Sequence, residues 1–130
     1  MYKHTIECVD YNGNPYTEDL YFNLSKAEIA ELELAHKEGL EKLINDMIEE
    51  ENTPKMAAFF KDLLLKSYGK KSEDGRRFIK NDELVEAFIQ SDAYSEFFYL
   101  LLSDENVMEA FTSNVLPSVK DGQLVRGTIE

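Results

Sequence analysis

The chain has 130 residues, of which 43% are hydrophobic and 12% aromatic, enough to build one folded domain and too few for two independent cores. Its 26 acidic and 14 basic residues give a formal net charge of -12, which argues against direct binding of nucleic acid or of an anionic membrane surface. The acid excess has two interpretations: solubility through self-repulsion, or an acidic face made for a basic partner.

Residues 2–23 predict a β-hairpin. Two runs rich in Tyr, Thr, Ile and Phe alternate along the chain, as strands prefer. Between them, Asn12-Gly13 supplies the positive φ angles of a tight hairpin turn. An isolated hairpin is marginally stable in water, so we expect this one to pack on the rest of the chain.

The first residues, Met1–Glu7, contain no apolar signal core. No apolar stretch approaches the roughly 20 residues that span a bilayer. Cys8 is the single cysteine, which excludes an internal disulfide. We therefore expect a protein of the reducing cytoplasm.

Residues 25–116 predict five to six short helices. Ser25 and Glu28 form a capping box at the start of the first, and Gly39 is expected to interrupt it. Thr53 is the expected N-cap of a further helix, which carries the strongest helical stripe in the chain: Met56, Phe59, Phe60, Leu63 and Leu64. Gly69 is expected to end that helix, and residues 69–80 are predicted to be a loop.

Three short helices are expected after the loop, with Asn81, Ser91 and Ser103 as their N-caps. The predicted fold is therefore α+β and mainly α, with an N-terminal β-hairpin packed on a bundle of helices. We expect a single domain over residues 1–117. Residues 118–130 form a C-terminal tail, for which a docked strand or a partner-bound segment is expected.

Charge is segregated along the chain. Residues 28–51 carry nine acids and two bases, and residues 82–111 carry eight acids and no bases. Residues 66–80 carry six bases and two acids. Either the basic segment folds back and neutralises the acidic helices, or the surface is bipolar and its two signs contact different partners or two copies of the chain itself. The candidate charged contacts are Lys70, Lys71, Arg76, Arg77, Lys80, Glu83 and Glu86.

Residue patterns typical of catalysis or metal binding are weak. Glu33 and His36 have the Glu-x-x-His spacing of di-iron bundles, but the second such motif that those proteins need is missing. Tyr68–Ser72 lacks the earlier glycine and the preceding strand of a phosphate loop. With two histidines in the chain, no local nucleophile and base pair is found. We predict no catalytic residues, no metal and no cofactor.

The run from Tyr94 to Leu102 is apolar on more than one helical face. Such a helix is either central in its own fold or partly covered by a partner. On the second interpretation, the candidate protein interface consists of Tyr94, Phe97, Phe98, Tyr99 and Leu101.

The segment Leu65–Lys80, LKSYGKKSEDGRRFIK, resembles the small tail assembly chaperones of long-tailed phages and prophages of Gram-positive bacteria. The resemblance extends from Asp10–Gly13 and Glu18–Leu24 through Phe88–Tyr94 to Val115–Pro117. It implies a non-catalytic protein of the bacterial host cytoplasm that coats the tape measure protein and recruits tail tube subunits. The tail after Pro117 departs from the pattern.

Two functions of different classes follow. The first is a chaperone that binds and solubilises helical tape measure segments, with self-association possible and with binding that depends modestly on salt. The alternative is an acidic phage-encoded inhibitor that occupies the nucleic-acid-binding channel of a host or defence enzyme, with binding that moderate salt abolishes.

Overall fold

The computed structural model describes residues 1–36, 38–51 and 53–116. In that part of the chain, the elements in order are β1 (Tyr2–Val9), β2 (Pro15–Phe22), α1 (Lys26–Ala35), α2 (Leu40–Glu49), α3 (Thr53–Ser67), β3 (Tyr68–Lys71), β4 (Phe78–Ile79), α4 (Asp82–Ile89), α5 (Asp92–Ser103) and α6 (Glu105–Val115). The strands form one antiparallel sheet in the order β1-β2-β3-β4. The predicted class, α+β and mainly α, is confirmed. The predicted tail, 118–130, lies outside the described residues.

The β1–β2 hairpin forms as predicted, but its turn is longer than expected. Val9 pairs with Pro15, so five residues, 10–14, make the connection. The Asp10 carboxylate accepts hydrogen bonds from the backbone N–H groups of Asn12 and Asn14, both at 2.9 Å. Among the described loop residues only Gly13 has a positive φ, of 86°. The Asp10 side chain therefore organises a wider loop in place of the tight Asn-Gly turn.

The alternating inward side chains of the hairpin pack on the helices. Ile6, Leu20 and Phe22 are buried there. The ring of Phe22 stacks on Phe97 of α5, with centroids 5.1 Å apart, and meets Phe111 of α6 edge-on at 5.5 Å. Aromatic pairs in these geometries add about 0.5–1.5 kcal/mol each to the free energy of area burial. The hairpin is therefore held at the centre of the core.

The predicted start of α1 and the interruption at Gly39 are both confirmed. The Ser25 hydroxyl accepts from the Glu28 N–H at 3.1 Å, and Glu28 Oε1 accepts from the Ser25 N–H at 2.8 Å. Gly39 has φ 87° and separates α1 from α2. Glu33 Oε1 accepts from the first backbone N–H of α2, that of Leu40, at 2.9 Å. This bond caps α2, because the N-cap residue of α2 is Gly39, which has no side chain to accept a hydrogen bond.

Residues 69–80 are not the loop that the sequence predicts. Helix α3 begins at Thr53, which is its first residue and not its cap, and passes directly into β3 after Ser67. Strands β3 and β4 form a second hairpin, in which Lys70 pairs with Ile79 and Lys71 with Phe78. The short strands carry no clear alternation, and their pairing depends on the edge of β2, where Tyr21 lies opposite Gly69.

Helix α3 ends at Ser67, two residues before Gly69, as predicted, but Gly69 itself lies in a strand and not in a left-handed helix cap. It is the second residue of β3, and a Cβ at this position would lie 2.6 Å from the backbone oxygen of Ile79 and 2.7 Å from the Phe78 ring. The absence of a side chain permits this close approach of the two strands.

Two of the three predicted caps in the last part are confirmed. Asn81 accepts from Leu84 N–H at 2.8 Å, and Ser91 accepts from Tyr94 N–H at 3.4 Å. The third is wrong, because Asp104 caps α6 by accepting from the N–H groups of Asn106 and Val107. The expected cap, Ser103, ends α5 and donates its hydroxyl to the backbone oxygen of Tyr99 at 2.8 Å.

Candidate protein-binding surface

Helix α5 buries one apolar stripe in the core. Ala93, Phe97 and Leu101 follow one another at four-residue spacing and are 2%, 0% and 0% exposed. Phe97 contacts the rings of Phe22 and Phe111. Two of the five candidate interface residues, Phe97 and Leu101, are thus enclosed by the chain itself. The fold orients this stripe toward β1 and α6, which leaves neither side chain accessible to a partner.

A second apolar stripe runs beside the first at the same spacing. Tyr94 and Phe98 are half-buried, while Leu102 is 43% and Tyr99 73% exposed. Tyr94, Phe98 and Leu102 follow the four-residue spacing, and Tyr99, three residues before Leu102, lies beside it on the helix surface; we call these four residues the outer stripe. Leu102 was absent from the candidate interface, although its position four residues after Phe98 was a usable signal.

Aromatic contacts hold the two half-buried rings of the outer stripe, Tyr94 and Phe98, in place. The rings of Tyr94 and Phe98 stack with centroids 5.8 Å apart and an interplanar angle of 4°. Phe88 of α4 meets Tyr94 edge-on at 5.4 Å. Burial raises the pKa of the Tyr94 hydroxyl further above physiological pH, where a tyrosine is neutral in any case. The arrangement presents a preformed apolar surface two helical turns long.

The basic segment is anchored at its end by one salt bridge. Lys80 Nζ lies 2.8 Å from Glu28 Oε1 of α1. Partial burial pushes the pKa of Glu28 upward, but the hydrogen bonds from Lys80 and from the Ser25 backbone outweigh it and leave this pKa below its usual value. Lys80, one of the candidate charged contacts, is therefore already paired within the fold.

Of the other five bases of that segment, Lys66 lies on α3 and pairs with Asp62, and the remaining four lie on the β3–β4 hairpin. Lys70, Lys71, Arg76 and Arg77 are exposed, and none of them forms an ion pair with a described residue. Lys71 Nζ sits over the Tyr21 ring, 4.9 Å from its centroid. We call residues 68–79 the basic hairpin.

The tip of the basic hairpin is well organised. Asp74 Oδ1 accepts from the Ser72 hydroxyl at 2.7 Å and from the Arg76 N–H at 3.0 Å. The Ser72 hydroxyl accepts in turn from the Arg77 N–H at 3.0 Å. These bonds, first that from Arg76, hold the pKa of Asp74 below its usual value. The backbone that carries both arginines is therefore fixed.

The acids of residues 82–111 are not neutralised by the basic hairpin. None of the eight forms an ion pair with any residue in the described part of the chain. Glu83 and Glu86, the two acidic candidate contacts, are exposed on α4. Over residues 1–36, 38–51 and 53–116, the two charged surfaces therefore form no ion pair with each other.

A shallow cleft of about 430 Å³ lies where the β1–β2 hairpin meets the first turns of α5. Its lining is Glu7, Cys8, Val9, Pro15, Tyr16, Thr17, Asp92 and Glu96. We call it the acidic cleft. It is formed only when α5 packs on β1, so nothing in the local sequence could indicate it.

Two side chains in the acidic cleft report its negative potential. Burial, followed by the charges of Asp92 and Glu18, raises the pKa of the Cys8 thiol despite a hydrogen bond from Tyr16. Burial and the neighbouring groups Cys8, Glu18 and Asp92 raise the pKa of Tyr16 to about 12. Burial, the largest cause, disfavours charge of either sign, but the negative charges of Asp92 and Glu18 contribute to both shifts and would favour a positively charged group beside them.

The two histidines have structural surroundings. The ring of His4 is 4.9 Å from that of Phe97, and its Nδ1 lies 3.0 Å from the Tyr2 hydroxyl. His36 is the C-cap of α1, and its N–H donates to the Glu33 carbonyl. Over residues 1–36, 38–51 and 53–116 there is no group of three His, Cys, Asp or Glu side chains that could hold a metal ion.

Residues 1–121 match the family model of phage tail assembly chaperones. The chain belongs to this family, which gives it a role in tail assembly and tail proteins as partners, and which indicates a non-enzymatic protein. The match continues past Pro117, where the resemblance noted in the sequence ends. No curated protein and no solved structure shows significant similarity to the chain.

Among the helices of the described residues, none has the length and apolarity to cross a membrane.

Proposed function

We propose that this chaperone binds and solubilises helical segments of the tape measure protein through the outer stripe of α5, and that the complex helps to recruit tail tube subunits. The observation that carries the proposal is the exposure of Tyr99 and Leu102 beside the half-buried Tyr94 and Phe98. These side chains are apolar surface that a partner helix would remove from water.

The spacing of the outer stripe suits a helical partner. Tyr94, Phe98 and Leu102 extend over about 12 Å of α5 at the usual helical rise. An amphipathic helix places its own apolar side chains at three- and four-residue intervals, so two turns of it can pack along this stripe. Complete burial of one leucine-sized side chain contributes about 1.5–3 kcal/mol. A few such contacts support reversible binding, which a chaperone that is later displaced requires.

The flank of the outer stripe fits the same role. Asp92 and Glu96 lie on the side of α5 beyond Tyr99, and Glu96 is exposed. Together with the net charge of -12, such acidic side chains keep a complex with an apolar, aggregation-prone partner in solution. The apolar contact would then provide affinity, and the acid excess of the whole chain would provide solubility.

The test is co-expression of the chain with helical fragments of the tape measure protein, with soluble yield and dissociation constant as readouts. We expect Tyr99→Ser combined with Leu102→Ser to weaken binding by at least about tenfold, which is 1.4 kcal/mol. The matched control is Tyr11→Ser combined with Leu34→Ser, which changes the same residue types at positions 85% and 86% exposed elsewhere on the surface. Equal affinity of both double variants would refute the use of the outer stripe.

Recruitment of tube subunits needs its own readout. The preformed complex of chaperone and tape measure fragment should retain purified tail tube protein in a pull-down, and the fragment alone should retain less. A complex that holds the fragment but never the tube protein would limit the function to solubilisation.

Salt separates this proposal from the acidic inhibitor of a nucleic-acid-binding enzyme. Apolar binding along the outer stripe should change little when the salt concentration rises above about 0.15 M, because charge screening does not weaken burial of apolar surface. Binding that disappears with moderate salt and that is lost in a Glu83→Lys, Glu86→Lys and Glu96→Lys variant would favour the inhibitor.

A further inference from the structure

The basic hairpin carries positive charge that no acidic side chain in the described part of the chain pairs with. Arg76 and Arg77 are exposed at a tip held by hydrogen bonds to Ser72 and Asp74. Neither arginine forms an ion pair with a described residue. The two exposed guanidinium groups are carried on a backbone that these bonds hold, so the loss of backbone freedom on binding is partly prepaid, and the fork of N–H donors on arginine is well suited to carboxylates.

The acidic cleft is the complementary surface on the same chain. Glu7, Asp92 and Glu96 line a concave site, and they too form no ion pair within the described residues. Burial is the first cause of the raised pKa values of Cys8 and Tyr16 at the same place, and the charges of Asp92 and Glu18 add to both. The cleft thus combines a concave surface of about 430 Å³ with carboxylates that favour arginine.

The two surfaces lie at opposite edges of the sheet. The cleft is built on β1 and the adjoining end of β2, whereas the basic hairpin includes β4, and the strand order is β1-β2-β3-β4. At the usual strand spacing, β1 and β4 are about 14 Å apart. One molecule therefore presents both surfaces at the same time without joining them.

We propose that the basic hairpin of one copy docks in the acidic cleft of a second copy, so that the chaperone self-associates head to tail. The contact is heterologous, because two different patches meet. In a pair of copies, one keeps a free hairpin and the other a free cleft. Further copies can therefore add to form an open chain or a closed ring.

Charge selects a second copy over nucleic acid as the occupant. The hairpin needs a carboxylate-rich surface, which this chain itself supplies, whereas its net charge of -12 repels a phosphate backbone as a whole. The same net charge opposes self-association at long range. At physiological salt the screening length is about 8 Å, so distant repulsion is damped while the local contact between opposite charges persists.

The experiment is sedimentation velocity on the purified chain alone, over a concentration series at about 0.15 M salt. The wild-type protein should show concentration-dependent self-association. Arg76→Glu with Arg77→Glu should weaken it at least tenfold, and Glu7→Lys with Glu96→Lys should do the same. Lys26→Glu with Lys61→Glu is the control, since it changes net charge as the hairpin variant does but at exposed positions on α1 and α3.

An equimolar mixture of the two charge-reversed variants is the decisive sample. In the mixture, the reversed hairpin of the Arg76→Glu, Arg77→Glu variant can bind the reversed cleft of the Glu7→Lys, Glu96→Lys variant. The unaltered hairpin of the second variant can likewise bind the unaltered cleft of the first. Association should return in the mixture, which also demonstrates that both variants are folded. A wild-type chain that stays monomeric, a hairpin variant that associates like wild type, or a mixture that fails to associate would each overturn the proposal.

This result is independent of the proposed function. No tail protein is present in the experiment, and Tyr99→Ser with Leu102→Ser should leave self-association unchanged. Loss of self-association in that variant instead would mean that the outer stripe, and not the hairpin, joins the copies.

Discussion

Lys80 and Glu28 form a two-pronged contact, with Lys80 Nζ 2.8 and 2.9 Å from the two carboxylate oxygens. The same ammonium group donates to the backbone oxygen of Lys66 at 3.1 Å. Helix α1 has no buried residue of its own. This contact therefore joins three parts of the chain: Lys80, directly after the basic hairpin, the end of α3 and the first turn of α1. Few apolar contacts connect these three parts.

A double-mutant cycle should detect this coupling. Lys80→Met and Glu28→Gln each remove the ion pair, and Gln keeps the capping-box interaction with Ser25. We expect a coupling of about 0.5–1 kcal/mol in the free energy of unfolding, because the pair is partly exposed and screened. Urea unfolding of the four proteins measures it. The exposed pair Lys66–Asp62 within α3 is the comparison, and a coupling there as large as that at Lys80 would contradict the prediction.

Acidification should destabilise the fold through His4 before most carboxylates titrate. Burial lowers the pKa of His4 below its usual value of 6.5, because the charged ring is poorly solvated beside Phe97. The unfolded state then binds more protons near and below that pH, so the stability present above pH 6.5 declines as the pH falls through this range.

The measurement is the free energy of unfolding at a series of pH values from about 7.5 to 5.5. His4→Gln should be less stable at pH 7.5 and should show a smaller decline on acidification, since it has lost the shifted group. Parallel curves for the two proteins would show that His4 contributes nothing to the pH dependence.

Gly69→Ala should be destabilising although alanine suits most strands and helices better than glycine. The added Cβ would lie 2.6 Å from the Ile79 oxygen, so the β3–β4 pair must shift. We expect a loss of about 1–3 kcal/mol, the usual cost of overpacking. The control is Lys70→Ala, one residue further along β3 and exposed, with an expected change within about 0.5 kcal/mol. Thermal or urea unfolding distinguishes the two, and a neutral Gly69→Ala would contradict this account of the close approach.

Features that depend on neighbouring residues were predictable from the sequence. The capping box of Ser25 and Glu28, the caps Asn81 and Ser91 and the break at Gly39 all follow from local backbone requirements. The β3–β4 hairpin was missed because its strands are short and need the edge of β2 to pair with. The cap of α6 was misplaced by one residue, because Ser103 and Asp104 are both good caps and only the packing of α5 decides where that helix ends.

The interface on α5 shows the same limit. Ala93, Phe97 and Leu101 repeat every four residues, and so do Tyr94, Phe98 and Leu102. Spacing alone cannot say which stripe faces the sheet, since both satisfy the helical period. The decision comes from long-range contacts with β1 and α6, and these place Phe97 and Leu101 inside.

Truncating one aromatic residue of each stripe should have different effects. A change in the inner stripe should lower stability, whereas a change in the outer stripe should weaken binding. Phe97 is 0% exposed and contacts Phe22 and Phe111, so Phe97→Ala should cost about 3–5 kcal/mol of stability. Tyr99 is 73% exposed, so Tyr99→Ala should change stability by no more than about 0.5 kcal/mol and weaken binding of tape measure fragments.

Urea unfolding and fragment affinity are measured on the same preparations. Phe97→Leu serves if the alanine variant does not fold, because it removes part of the ring contacts and keeps an apolar core residue. It should lower stability while leaving the fragment affinity of the folded fraction close to wild type. If Phe97→Leu weakened binding and Tyr99→Ala did not, the inner stripe would have to open during function, and the binding surface would be one that this conformation conceals.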